Sequence, residues 1–117
     1  MDRVPIQRIG RTLVVSIQID LQDDTVEQLQ EDLAEQIIAT RATGVIIDIT
    51  AVEIVDSFIG RMLSAVASMS RLFGAETILV GMRPAVAITL VELGLSLPGV
   101  RTAMNAEKGL RLLDGRT

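Results

Sequence analysis

The sequence predicts an α/β domain built on a mixed, largely parallel sheet of four to five strands, covered by about four helices. Three observations lead there. Short β-like runs alternate with runs of helical period, an order that sets consecutive strands side by side through helical crossovers. The run Val45–Thr50 (VIIDIT) is apolar on both faces, as expected of an inner strand covered on both sides. Glycines at 44, 74 and 94 each follow a helix-period segment, where a helix commonly ends.

Val4–Ile9 and Thr12–Ile19 read as two strands, the second with Leu13, Val15, Ile17 and Ile19 on one face and Val14, Ser16 and Gln18 on the other. Gly10-Arg11 between them suits a tight hairpin, with Gly10 free to take positive φ. A helix of about Thr25–Arg41 follows, striped by Val26, Leu29, Leu33 and Ile37. Thr25 with Gln28 reads as a capping box, Asp23 and Asp24 lie where the helix dipole favours negative charge, and Gly44 ends the unit. After Val45–Thr50 and the link Ala51–Val55, a second helix runs from Asp56 or Ser57 to about Phe73. Its stripe is Ile59, Met62, Leu63, Val66, Met69, Leu72 and Phe73, and Gly74 closes it. Thr77–Met82 is another buried strand, and Pro84 opens a third helix reaching Leu93, with Gly94 at its end. That helix has only Thr89 and Glu92 as polar residues, so it is either buried in its own fold or covered by another molecule. Val100–Met104 reads as a short edge strand, and Asn105 caps a last helix, Ala106–Leu113. Met62, Met69, Met82 and Met104 read as core filler.

The 117 residues are the length of one domain, taken as residues 1–117. Hydrophobic residues make up 49% before nine glycines are added, above the roughly 45–50% usual when glycine is included. Disorder is excluded, and a domain this small leaves part of such an apolar set outside, so self-association is expected. With no histidine and no cysteine the chain cannot build a Ser-His-Asp site, a thiolate nucleophile or a Cys/His zinc site. No signal-peptide pattern opens the sequence, and its longest oily segment, Ala85–Val100, is broken by Glu92, Gly94 and Pro98. The expectation is a cytoplasmic protein with no membrane association. The formal net charge is −4, the basic residues are scattered, and there is neither Trp nor Tyr to stack on bases, so nucleic acid is not expected as a partner. The glycines match no phosphate-binding fingerprint, and no cofactor or metal is called for. Ten of the eleven basic residues are arginine, a side chain suited to interface ion pairs, which leans the composition toward an interaction module.

The segment from Asp48-Ile49-Thr50 to Asp56-Ser57-Phe58-Ile59-Gly60 is where chemistry can be carried. It puts a hydroxyl just after a parallel strand and at a helix N-terminus, where a phosphate meets unpaired N–H groups and the positive end of the helix dipole. Ser57 is therefore a candidate acceptor, and equally a plain helix cap. Asp48, Glu53 and Asp56 invite a carboxylate-pair reading, but a strand terminator, a solvated side chain and a helix cap account for them, and no enzyme is expected.

The element order, together with VIIDITAVEIVDSFIGRML (Val45–Leu63), resembles the STAS domain of anti-anti-sigma factors over nearly the whole chain. That resemblance implies the STAS fold and phosphorylation of Ser57 by a partner-switching kinase, with Asp56, Phe58 and Gly60 supporting the acceptor. Sigma-pathway antagonists usually follow the Asp-Ser pair with small residues and Gly-Leu, whereas Phe58-Ile59-Gly60-Arg61 follows here. Asp56-Ser57-Phe58, SRLFGAETILVGMRPAVAITLVELGL (Ser70–Leu95) and GVRTAMNAEKGL (Gly99–Leu110) look like the RsbS-type subgroup, single-domain scaffolds of the bacterial stressosome. Membership implies co-assembly with RsbR-type STAS paralogues, sequestration of an RsbT-type serine kinase, its release when Ser57 is phosphorylated, and resetting by an RsbX-type phosphatase. No sensory extension is expected ahead of the domain, an expectation that would set the chain apart from the RsbR type. A solitary anti-anti-sigma factor is the alternative; a STAS subunit of a transporter and a small enzyme are further classes.

Overall fold

The structure is a computed structural model that describes residues 4–18, 23–94, 97 and 99–114. Five strands lie in the order β1-β2-β3-β4-β5: β1 (Ile6–Ile9), β2 (Thr12–Ser16), β3 (Gly44–Asp48), β4 (Glu76–Val80) and β5 (Arg101–Ala103). β1 and β2 form the antiparallel hairpin, with Ile9 opposite Thr12 and Gly10 turning at φ 61°. The remaining pairs are parallel, with Val14, Ile46 and Ile78 in register across the middle.

Three helices make the crossovers: α1 (Asp23–Thr40), α2 (Ser57–Leu72) and α3 (Pro84–Glu92). Each joins neighbouring parallel strands stepping in one direction, and the fixed hand of such connections puts all three on one face. The larger core cluster accordingly unites Leu13, Val15, Val45, Ile47 and Leu79 of the sheet with Val26, Leu29, Leu33 and Ile37 of α1, Leu63 and Val66 of α2, and Val86 and Leu90 of α3. Each fully buried side chain of this size contributes about 1.5–3 kcal/mol. The opposite face, with Val14, Ile46, Ile78 and Val80, is covered by α4 (Ala106–Asp114) through Leu113, Ala106 and Leu110. Asn105 caps α4 as expected, its Oδ1 accepting from the Lys108 amide at 2.9 Å.

Several expectations are corrected. α1 begins at Asp23, so Thr25 lies inside its first turn rather than at the cap, and Gln28 donates forward to Asp32 at 2.9 Å instead of closing a capping box. The left-handed residue after α1 is Arg41 (φ 55°), not a glycine. Gly44 is instead the first residue of β3, where a Cβ would come 2.6 Å from Leu113 Cδ1. Leu72 and Phe73 are exposed: Leu72 follows Leu63 by nine residues, two and a half turns, and so faces the other way. Met104 is also outside the core, just beyond edge strand β5, with its sulfur accepting from Lys108 Nζ at 3.4 Å. In α3 only Val86 and Leu90 are buried while Ile88, Val91 and Leu93 are exposed, so the chain's own described residues do not enclose that helix. The expected strand end at Ile19, the side chains of Asp23 and Asp24, and Pro98 fall outside the described residues.

Candidate functional site

The loops that leave the carboxyl ends of β3 and β4 build the site. Asp48 closes β3, and its Oδ1 accepts from both the Thr50 amide (2.9 Å) and the Thr50 hydroxyl (2.6 Å), an Asx turn that takes the chain out of the sheet. Ile49 still donates to Val80 O at 3.0 Å, and Val52 N donates back to Ile49 O at 2.9 Å. Arg83 reaches across from the next loop, its Nε donating to Thr50 O at 3.2 Å. Gly81 makes this approach feasible: at φ 75° it carries no Cβ, and one placed there would run into the Thr50 hydroxyl and come within 3.1 Å of Thr50 Cα. Val52 and Val55 then turn inward and are buried, whereas Glu53 and Ile54 between them are exposed.

The loop delivers Asp56 to the start of α2 in extended conformation (φ −116°, ψ −177°). Its Oδ1 accepts from the Ile59 amide at 2.9 Å, and its carbonyl accepts from Gly60 N at 3.0 Å, the first intrahelical bond. Asp56 is therefore the N-cap, and Ser57 is the first helical residue. The cap uses one of the free amides of the first turn and leaves those of Ser57 and Phe58 without an intrahelical partner. Ser57 is half-buried, and among the described residues its hydroxyl has no hydrogen-bond partner. Phe58 is half-buried against the larger core cluster and Gly60 is buried, so both seat the first turn on the sheet.

The two roles left open for Ser57 are thus separated by geometry: the cap is Asp56. Asp48, Glu53 and Asp56 form no acid pair, since Asp48 is engaged by Thr50, Asp56 by the Ile59 amide, and Glu53 faces solvent. Reading the sequence did not find Arg83, Gly81 or Ile54. Gly81-Met82-Arg83-Pro84 signals a turn before a helix, but nothing in it says that the arginine meets a carbonyl 33 residues away. A cleft of about 270 Å³ lies at the other end of the strands, between the end of α2 and the start of β4, lined by Ala67, Arg71, Thr77 and Gly99.

A STAS domain model matches residues 3–105 of the sequence. The chain belongs to the STAS domain family. This STAS domain is 41% identical to a serine-to-glutamate variant of RsbS from Moorella thermoacetica, over 96% of this chain and 95% of that one, with a TM-score of 0.83. It is 42% identical to a chain of the solved stressosome, described as a signal integration and transduction hub, over 97% of this chain and 100% of that one, with a TM-score of 0.85. It is also 34% identical over 85 residues to the RsbT co-antagonist protein RsbRA of Bacillus subtilis (strain 168), a match covering 73% of this chain and 31% of RsbRA. The chain spans about a third of the length of the curated relatives it matches. No helix among the described residues is long and apolar enough to cross a membrane.

Proposed function

We propose that this STAS domain, taken as residues 1–117, is a non-enzymatic scaffold of a cytoplasmic stressosome that holds an RsbT-type serine kinase and releases it when Ser57 is phosphorylated. The observation that carries the reading is the position of Ser57. Asp56 does the capping, so the adjacent hydroxyl is unspent, at the positive end of a 16-residue helix beside free amides. A phosphate there gains from the dipole and does not cost the helix its cap. It also adds about −1.5 to −2 charges beside Asp56, on a surface that has to desolvate to hold a kinase, so the cost of modification falls on the complex. Likeness to RsbS, to a stressosome chain and to an RsbT co-antagonist supports the same reading. RsbR-type STAS paralogues are the proposed co-assembly partners and an RsbX-type phosphatase resets the switch. The exposed apolar residues of α3 fit self-association.

The test combines phosphopeptide mapping with binding. Incubation with an RsbT-type kinase, an RsbR-type paralogue and ATP places phosphate on Ser57. The phosphorylated chain, and more weakly Ser57→Asp, binds the kinase less tightly than the unmodified chain, while Ser57→Ala retains it. Phosphate on Thr50 or Thr89 with Ser57 spared, or equal affinity for both forms, refutes the assignment. A chain that stays monomeric and never enters a larger particle with the paralogue favours a solitary anti-anti-sigma factor.

A further inference from the structure

Ile54 lies in water although its neighbours do not. It is 85% exposed, whereas Val52 and Val55 are 5% and 4% exposed. Those two valines plug the loop onto the core and fix which way the residues between them point. The loop is also tied at both ends, by the Asx turn of Asp48 and the Arg83 contact to Thr50 on one side and by the Asp56 cap on the other. Ile54 is thus an apolar side chain presented on a pre-ordered backbone, so a partner that takes it has little loop entropy to offset.

Its place fixes what can cover it. It lies three positions before Ser57, a span of at most about 11 Å. A standard protein interface buries about 800 Å² on each partner, a disc of roughly 16 Å radius. A protein centred on Ser57 therefore covers Ile54. By contrast Leu72, also exposed, lies fifteen residues along α2, about 22 Å away at helical rise. Along the loop, exposed Glu53 directly precedes Ile54 and exposed Asp56 follows it two residues on, so the segment carries acidic residues on both sides in sequence, one oxygen of Asp56 being used by the Ile59 amide. We infer that Ile54 is the apolar anchor by which the kinase that acts on Ser57 recognises this loop, entering an apolar pocket with a basic rim. This rests on the phosphorylation of Ser57 proposed above.

The experiment uses the full chain with an RsbT-type kinase and ATP, comparing wild type with Ile54→Ala and Ile54→Val. Truncating a buried anchor is expected to raise both the kinase Kd and the KM for Ser57 phosphorylation about 10- to 50-fold in Ile54→Ala and about 3-fold in Ile54→Val, with kcat within about twofold. The urea midpoint stays at the wild-type value, because the side chain touches little of its own fold. Wild type phosphorylated on Ser57 with unchanged KM and Kd in Ile54→Ala overturns the anchor and leaves the switch standing. A loss in kcat alone, or a change in self-association at constant KM, overturns it too, the latter assigning the residue to a second copy of the chain. If wild type itself takes no phosphate on Ser57, the reading of the switch fails and the anchor fails with it.

Discussion

Replacing Asp56 and Ser57 one at a time separates a helix cap from a modification site. Asp56 Oδ1 accepts from the Ile59 amide at 2.9 Å, and no other acidic residue occupies the first turn of α2. Removing a cap of this kind costs about 1 kcal/mol, within a range of about 0.5–2. Of that, the charge at the helix end accounts for about 0.3–1 kcal/mol at low salt. Asp56→Ala should therefore lose the whole amount, while Asp56→Asn keeps the acceptor and loses only the charge share, a difference that shrinks as salt is added. Ser57→Ala removes a hydroxyl with no partner among the described residues, at a position where alanine is a good helix former, so its effect should stay within about 0.5 kcal/mol. Urea unfolding reads all three: with m about 1–2 kcal/mol/M for a domain this size, Asp56→Ala lowers the midpoint by about 0.5–1 M and Ser57→Ala leaves it nearly unmoved. A larger drop for Ser57→Ala than for Asp56→Ala would show that the serine is the cap, and would remove the observation that makes its hydroxyl available.

Two further substitutions probe the scaffold. Among the described residues the Thr77 hydroxyl is buried under α2 without a hydrogen-bond partner, so Thr77→Val should raise stability by about 1 kcal/mol in the same urea assay, and a loss would reveal a partner such as bound water. Gly81→Ala combines a positive φ with a collision against Thr50 and should cost at least about 1–2 kcal/mol by thermal unfolding; a smaller cost would mean that the Thr50 turn shifts freely.

Patterning carried most of the architecture. The α1 stripe at Val26, Leu29, Leu33 and Ile37, and Val45, Ile46, Ile47 and Ile49 of the VIIDIT run, are buried as read, because burial there follows the helical and strand periods directly. What pattern missed is set by contacts distant in sequence. Gly44 looks like a helix stop and is instead a clearance for Leu113, while the left-handed turn falls to Arg41, a residue with no local preference for it. At the site, composition left Ser57 with two roles, since Asp and Ser are both good caps; only the backbone of Asp56 and the bond from Ile59 decide between them. Arg83 and Ile54 were invisible for opposite reasons: one acts through a carbonyl 33 residues away, and the other is defined by what it fails to touch.

The placement of α1, α2 and α3 on one face gives the chain a definite order of completion during synthesis. All five strands and the three crossover helices leave the ribosome before α4, so one side of the sheet can close while Val14, Ile46, Ile78 and Val80 still wait for their cover. Until Leu113 settles against Gly44, the nascent domain presents a flat apolar surface of the kind that chaperones bind and that drives premature association. The nine residues of α4 thus govern when a newly made copy hides that surface.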